Sequence, residues 1–186
     1  DTTELARFLI GKTLVREVEG LRLSGRIIET EAYVVGDAAS HGFRGMTERN
    51  RAMFLERGHA YVYIAYGVWP ALNVAGEVPG VGAGVLLRAI EPIEGIDRMR
   101  LNRGAEKLLD LARGPGRLAT AMQVTLALNG TDLCARGPLW LGAALREPDA
   151  IGATTRIGIS KEAERPLRFF ERGSPFVSGP RRVLGL

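Results

Sequence analysis

The extended run Leu21 to Tyr33 constrains this chain's fold more than any other segment. A polar turn at Glu19 and Gly20 separates it from another extended run, Thr13 to Glu17, so the two read as an antiparallel pair. Strand alternation then places Glu29, Glu31 and Tyr33 on one face and Ile28, Thr30 and Ala32 on the other. With regular alternation the carboxylates need not enter the main core, which frees them for chemistry.

Around this pair the pattern predicts a mixed architecture. Leu5, Phe8 and Leu9 recur at helical spacing, with Thr3 as cap and Gly11 as stop. Thr47 to Arg57 reads as a second helix, capped by Thr47, stopped by Gly58 and carrying Arg49, Arg51 and Arg57 at polar positions. Tyr61 to Tyr66 alternates as a strand, Gly67 allows a turn and Val68 to Ala75 returns, with Pro70 confining that return to an edge or a bulge. Tyr66 then stands near a hairpin tip. Val85 to Ile90 reads as an inner strand whose one charge, Arg88, needs a partner. Glu94 to Arg113 reads as helical with a break near Gly104, and Gly114, Pro115 and Gly116 separate it from a helix over Arg117 to Leu126. Short strands are predicted around Leu139 to Leu141, Arg156 to Ile159 and Leu167 to Glu171. With 186 residues and neither an internal repeat nor a linker, the expectation is a single compact domain over residues 1–186. Its class is α+β, built on one curved, largely antiparallel sheet flanked by helices, with a protruding hairpin.

Composition excludes several function classes. The chain is 46% hydrophobic and 25% charged, as ordinary globular proteins are. Apolar stretches such as Val81 to Ile90 are interrupted by Gly or Arg and fall far short of a bilayer span, so no membrane association is expected and a cytoplasmic or nucleoid location fits. Cys134 is the only cysteine and cannot form an internal disulfide. The formal net charge is +4 and the pI about 9.6, and Lys12, Lys107 and Lys161 are the only lysines. Arginine suits bidentate contact with phosphate; by charge alone, a solvated arginine-rich surface is an equally good reading.

All four tyrosines, both histidines and one of the two tryptophans lie between Tyr33 and Trp69, a cluster suited to something flat. Tyr61 and Tyr63, two apart on a strand, present rings to one side, where stacking on a nucleobase contributes roughly 1–3 kcal/mol each; from pattern alone, core packing is the stronger reading. Glu29 and Glu31 stand about 6–7 Å apart along a strand. That spacing is open both to an O-glycosidase acid–base pair and to carboxylates bridged to Arg26 or Arg88. His41 in a glycine-rich loop serves equally as a base, a donor to a ligand or a loop-stabilising residue. Two histidines and one cysteine give no metal-ligand motif, although magnesium on Asp and Glu stays open. None of the lysines falls in the aromatic window, which disfavours Schiff-base chemistry and leaves water as the nucleophile. The glycines at Gly80 to Gly82 and Gly114 to Gly116 lack the wider dinucleotide or phosphate-loop patterns, so no cofactor is expected. The second group can still grip a backbone phosphate.

The segments LARFLIGKTLV, RIIETEAY, SHGFRG, NRAMF, AYVYIAYG and VLLRAIEP, continuing in order through ARGPGRL, RIGIS, PLRFF and RGSPFVS, resemble the alkyladenine (3-methyladenine) DNA glycosylases, in particular their bacterial members, over nearly the whole chain. The resemblance implies a monofunctional hydrolase that acts, as a monomer and without cofactor or metal, on duplex DNA containing damaged purines. Glu31 becomes the general base for a water held also by Arg88 and by the main-chain carbonyl of Ile157, and Glu29 a supporting charge. Tyr33 and His41 are implied to flank the extruded base on one side and Tyr63 on the other, while Asn73 crowds the place of a guanine amino group. Tyr66 corresponds to the residue that fills the gap left by the flipped nucleotide, which makes the hairpin DNA-inserting. Trp69, Thr47, Arg49, Met53 and Arg117 complete the expected DNA contacts. The match is loosest at Gly42 to Met46, Glu77 to Gly82 and Asp97 to Arg103, segments that bear on lesion preference more than on reaction type.

Overall fold

The computed structural model describes residues 1–179, and in it Leu21–Tyr33 is one strand, β2, around which the sheet is arranged. It follows β1 (Thr13–Val18) through a two-residue turn in which Glu19 and Gly20 take φ of 52° and 74°. Two positive φ values match the twist of the flanking strands. β2 is long enough to serve two neighbours on one edge: β1 along its first half and β8 (Arg168–Glu171) along its second. Its other edge pairs with β5 (Gly84–Glu94), beyond which lie β4 (Trp69–Ala75) and β3 (Ala60–Ala65). β6 (Leu139–Gly142) adds outside β1, and β7 (Ile151–Thr154) outside β8. All these pairings are antiparallel, and the eight-stranded sheet curls around the core as the α+β expectation requires.

Four helices close that core. α1 (Thr2–Leu9) buries Ala6 and Leu9, and α2 (Ile96–Arg103), α3 (Leu108–Leu111) and α4 (Pro115–Ala121) contribute Met99, Leu111 and Leu118 to the cluster that holds Leu14, Leu23, Ile27, Val85 and Leu87 of the sheet. The cap of α1 is Asp1, reciprocated by Glu4, rather than Thr3. α4 stops well short of Leu126: Gln123 takes φ 49°, and the amides of Gln123 and Val124 return to the carbonyls of Thr120 and Ala119. That is a Schellman ending, which turns Val124 into the core.

Two other expectations are corrected. Residues 47–57 do not form an α-helix but a loop with a single 3₁₀ turn, Arg51–Phe54. Ala52, Met53 and Phe54 are all buried beside Tyr61, and a helix with one apolar stripe cannot bury three consecutive residues. The Asn50 amide also ties the segment to the preceding loop by donating to the carbonyls of His41 (2.8 Å) and Gly45 (3.1 Å). Arg156 to Ile159 is likewise no strand: Gly158 takes φ 77°, and the Ile157 amide is engaged by a side chain of β2.

Strict alternation along β2 also fails, at one informative place. Between the pairs Ile27↔Ile90 and Glu29↔Ala89 the extra residue is Ile28; between Glu29↔Ala89 and Thr30↔Leu87 it is Arg88. These two bulges cancel in register. Ile27 consequently packs in the main core while Ile28 joins a second cluster with Phe170, Phe176 and Val177.

The β3–β4 hairpin extends past β5, because β4 meets β5 only through Asn73–Ala75. Pro70 therefore sits where β4 has a strand partner on one side alone, as its missing amide requires. At the tip Val68 N–H donates to Ala65 O at 3.1 Å, with Tyr66 and Gly67 at φ 51° and 73°. Among the described residues no helix is long and apolar enough to cross a membrane.

The loop after β2 rests on the segment before β5 with no room to spare: a Cβ on Gly42 would lie 2.5 Å from the Gly82 carbonyl oxygen. Gly42→Ala is therefore expected to cost about 1–3 kcal/mol, read as a lower urea midpoint at unchanged slope. A wild-type midpoint would show that the loop yields freely.

Candidate active site

The paired bulges bring the charges of β2, β5 and β8 together. Glu29 is fully buried and saturated: it accepts from Arg88 Nε (2.9 Å), Arg168 Nε (2.6 Å), the Ser178 hydroxyl (2.9 Å) and the Ser178 amide (2.6 Å). Glu31 is also fully buried but differently engaged. Its Oε1 accepts the Ile157 amide at 2.8 Å and faces Arg88 Nη1 at 3.2 Å, and its Oε2 accepts the Tyr33 hydroxyl at 3.0 Å. One guanidinium thus bridges both carboxylates. Burial alone would lower the Arg88 pKa, but Glu31 and Glu29 together outweigh it and raise it. Arg26, the other partner considered for these carboxylates, pairs instead with Glu171.

A cavity of about 730 Å³ opens beside this cluster. Tyr33, Arg88 and Ile157, each in contact with Glu31, line it, while Glu31 itself lies just behind them. Tyr61 and Tyr63 stack with centroids 5.5 Å apart, so their rings do share a side; Tyr61 is buried and Tyr63 faces the cavity. His41 meets Tyr63 edge-on at 4.5 Å and its Nδ1 lies 2.9 Å from the Tyr61 hydroxyl. His41 and Tyr63 therefore belong to one wall, with no gap for a base between them, contrary to the expectation that they flank it from opposite sides. Tyr33 stands apart from that wall, with the Arg156 guanidinium 4.7 Å from its ring centroid.

The wall is uncharged at neutral pH. Burial, reinforced by Glu31, pushes the Tyr33 and Tyr63 phenols up, and burial pushes Tyr61 up to about 12. Burial, with the Arg49 charge nearby, lowers the His41 imidazole below its ordinary value. Tyr33 is accordingly a proton donor to Glu31.

Of the remaining expected residues, Asn73 lines the cavity with its amide fixed on the Tyr61 carbonyl (3.0 Å), and Arg49, Tyr66, Trp69 and Arg117 border it with exposed side chains. Tyr66 is 86% exposed, and its hydroxyl approaches Gly158 across the opening. The other two expected DNA contacts differ in exposure. Met53 is only 3% exposed and packs with Phe54 and Tyr61, so it faces the cavity interior and not a duplex. Thr47 is exposed, in a turn where its amide donates to Asn50 Oδ1 and the Asn50 amide donates to its hydroxyl, and it lies outside the cavity lining. Sequence reasoning missed Arg168 and Ser178, which hold Glu29, and the buried Asp37–Arg156 pair. The one signal was Arg168 beside Leu167, Phe169 and Phe170; nothing local marks Ser178, Asp37 or Arg156. Arg103, Arg113 and the Gly114–Gly116 segment also line the cavity. Among the described residues no three His, Cys, Asp or Glu side chains group to hold a metal ion.

Residues 1–175 match the family model described as Methylpurine-DNA glycosylase (MPG). The chain belongs to this family. A relative from Mesorhizobium japonicum is 65% identical over 183 residues, covering 98% of this chain and 88% of its own length. One from Paraburkholderia phytofirmans is 54% identical over 184 residues (99% and 86%), and one from Methanoculleus marisnigri 46% identical over 182 (96% and 94%). All three bear the provisional name 3-methyladenine DNA glycosylase.

In this family member the two carboxylates are physically distinct, and their neutralisation should separate them. Glu29→Gln leaves Arg88 and Arg168 under-compensated in the interior and is expected to cost about 3–5 kcal/mol in urea unfolding. Glu31→Gln, which leaves Arg88 its contact with Glu29, should cost clearly less; equal losses would contradict the distinction. For His41, a depressed folded-state pKa means that the unfolded chain binds the proton more readily. Its contribution to stability is thus intact at neutral pH and declines as pH falls through the unfolded value near ~6.5. An NMR titration should find the His41 midpoint below that value, and a midpoint at or above it would contradict the placement.

Proposed function

We propose that this protein excises alkylated and deaminated purines from duplex DNA by hydrolysing the N-glycosidic bond, leaving an abasic site. The observation that carries the reading is Glu31, clasped by Arg88 and the Ile157 amide, directly behind a cavity with an uncharged aromatic wall. Family membership and the names of the relatives support it.

A glycosidic carbon inside a duplex cannot be reached by a positioned water, so the damaged nucleotide has to leave the stack, at a cost that is least for a lesion or a mispair. Tyr66 suits the wedge that offsets this cost. It is held in the left-handed region, at φ 51°, where a non-glycine residue stores about 1–3 kcal/mol. The extruded purine stacks in the cavity between Tyr33 and the wall of His41 and Tyr63, with Asn73 at its edge. Protonated phenols and a neutral imidazole attract a cationic N-alkylpurine by cation–π interaction, which strengthens as water is excluded.

The chemical step consumes only water and needs no cofactor. Glu31, reached where Tyr33, Arg88 and Ile157 border the cavity, takes a proton from the water as its oxygen bonds to the sugar C1′; the purine departs with the electron pair of the glycosidic bond. An alkylated, cationic base leaves neutral, and a deaminated, neutral base leaves as the anion and takes a proton from solvent. Arg88 and the Ile157 carbonyl hold the water, and Glu29 keeps Arg88 in place. The protein works as a monomer on genomic DNA.

A panel of duplex oligonucleotides, each with one defined lesion (3-methyladenine, 7-methylguanine, ethenoadenine or hypoxanthine), tests the reading. Alkali-labile sites should accumulate past one turnover. Glu31→Gln should lower the single-turnover rate by about 10²-fold or more with lesion binding retained, and Tyr66→Ala should lower it by impairing extrusion. Unimpaired excision by Glu31→Gln would remove its assigned role. Stable binding without abasic product would favour a base-sensing domain instead.

A further inference from the structure

We infer that the buried Arg156–Asp37 pair positions the catalytic constellation, joining the three chain segments that carry it through one guanidinium. Both side chains are fully buried and ion-paired. Arg156 Nη1 donates to the Ala32 carbonyl at 3.0 Å, and Nη2 donates to Asp37 Oδ1 at 3.2 Å and to the Glu162 carbonyl at 3.3 Å. Ala32 lies on β2 between Glu31 and Tyr33. Asp37 Oδ1 also accepts the Ala39 amide at 2.9 Å and so closes the turn that leads into the His41 loop. Ile157, adjacent to Arg156, donates its amide to Glu31 at 2.8 Å. The guanidinium therefore references the strand of the base, the loop of one wall and the loop of the Glu31 donor to a single plane. It also rests against the Tyr33 ring. Arg156 is absent from the cavity lining, so it acts through these neighbours and not on a substrate.

Stability is a poor reason for this pair. A buried ion pair is often matched or bettered by apolar residues of similar volume, and among the described residues Arg156 Nε has no hydrogen-bond partner. What apolar side chains cannot supply is direction. A planar fork addresses a carboxylate and two carbonyls at once, whereas the ammonium of lysine is a single point. The consequence lies in the orientation of Glu31, since a displacement of about 1 Å at a reacting group can cost on the order of 10²-fold in rate.

The assay rests on the excision reading; the geometry does not. In Arg156→Met/Asp37→Asn both charges are gone, the stem volume is kept and the introduced carboxamide oxygen can still accept the Ala39 amide. We expect its single-turnover excision rate at saturating enzyme to fall about tenfold or more, with half-saturation by lesion duplex within about threefold of wild type. The thermal midpoint should stay near wild type, and hydrogen exchange at the Ile157 amide should accelerate. A folded double variant with wild-type rate and wild-type Ile157 exchange overturns the inference, and so does a rate loss that merely tracks the unfolded fraction. Should the double variant not fold, Arg156→Lys decides: a folded lysine variant should lose rate in the same direction, and wild-type excision by it overturns the inference. Absence of excision by the wild-type protein would refute the proposed function instead, and exchange at Ile157 would then decide the positioning role alone.

Discussion

The structure depends on how Glu29 is buried. A carboxylate and two guanidinium groups taken out of water carry a desolvation cost of several kcal/mol per ion, which only complete pairing offsets. Completing it recruits distant parts of the chain: Arg88 from β5, Arg168 from β8 and both donors of Ser178 near the end of the described chain. β8 has to lie beside the second half of β2 for Arg168 to arrive, and the bulges at Ile28 and Arg88 turn the partners toward each other. Where β5 bulges, Gly114 N–H donates to the Arg88 carbonyl, so the segment before α4 is docked at the same point. The cavity forms against this fixed end.

Neighbouring carboxylates on one strand thereby acquire different characters. Glu29 has its oxygens filled by four donors and Glu31 shares its donors with the cavity border, so a common guanidinium orders both without making them equivalent. The same economy appears at the hairpin. Tyr66 is held in a conformation that favours glycine, at the end of strands that outrun their neighbour, while Gly116 in α4 allows a close approach to Trp69. Strain and exposure coincide where the proposed function needs a ring that moves.

Much of this was legible in local pattern. The boundaries of β2, the tip at Tyr66, the one-sided setting of Pro70 and the need of Arg88 for a partner all follow from alternation, turn chemistry and the cost of a buried charge. The bulges were not legible, because β2 can alternate perfectly on its own and departs from alternation only to satisfy β5 and β8. The segment 47–57 misled for a related reason: its polar arginines imitate a helix surface, while burial of three consecutive residues is dictated by the sheet beneath. Arg156 and Asp37 are 119 residues apart, beyond any periodicity. The roles of Glu31 and Tyr66 came from the resemblance and not from spacing, which left Glu29 and Glu31 undecided.

The arginine-rich composition gains a sharper meaning from the interior. Among the described residues the buried charges are Arg26, Arg88, Arg156 and Arg168 against Glu29, Glu31, Asp37 and Glu171, four of each sign. Their preference for arginine follows from the bidentate fork and not from nucleic acid. Because they cancel, the formal net charge of +4 falls entirely on the remainder of the chain. The ambiguity between structural arginine and phosphate affinity thus resolves into two populations. One is neutralised inside, where Arg88 contacts Glu31; the other, which includes Arg49 at the cavity border, carries the net positive charge into solvent, whereas Arg117, also at that border, is paired with Asp110.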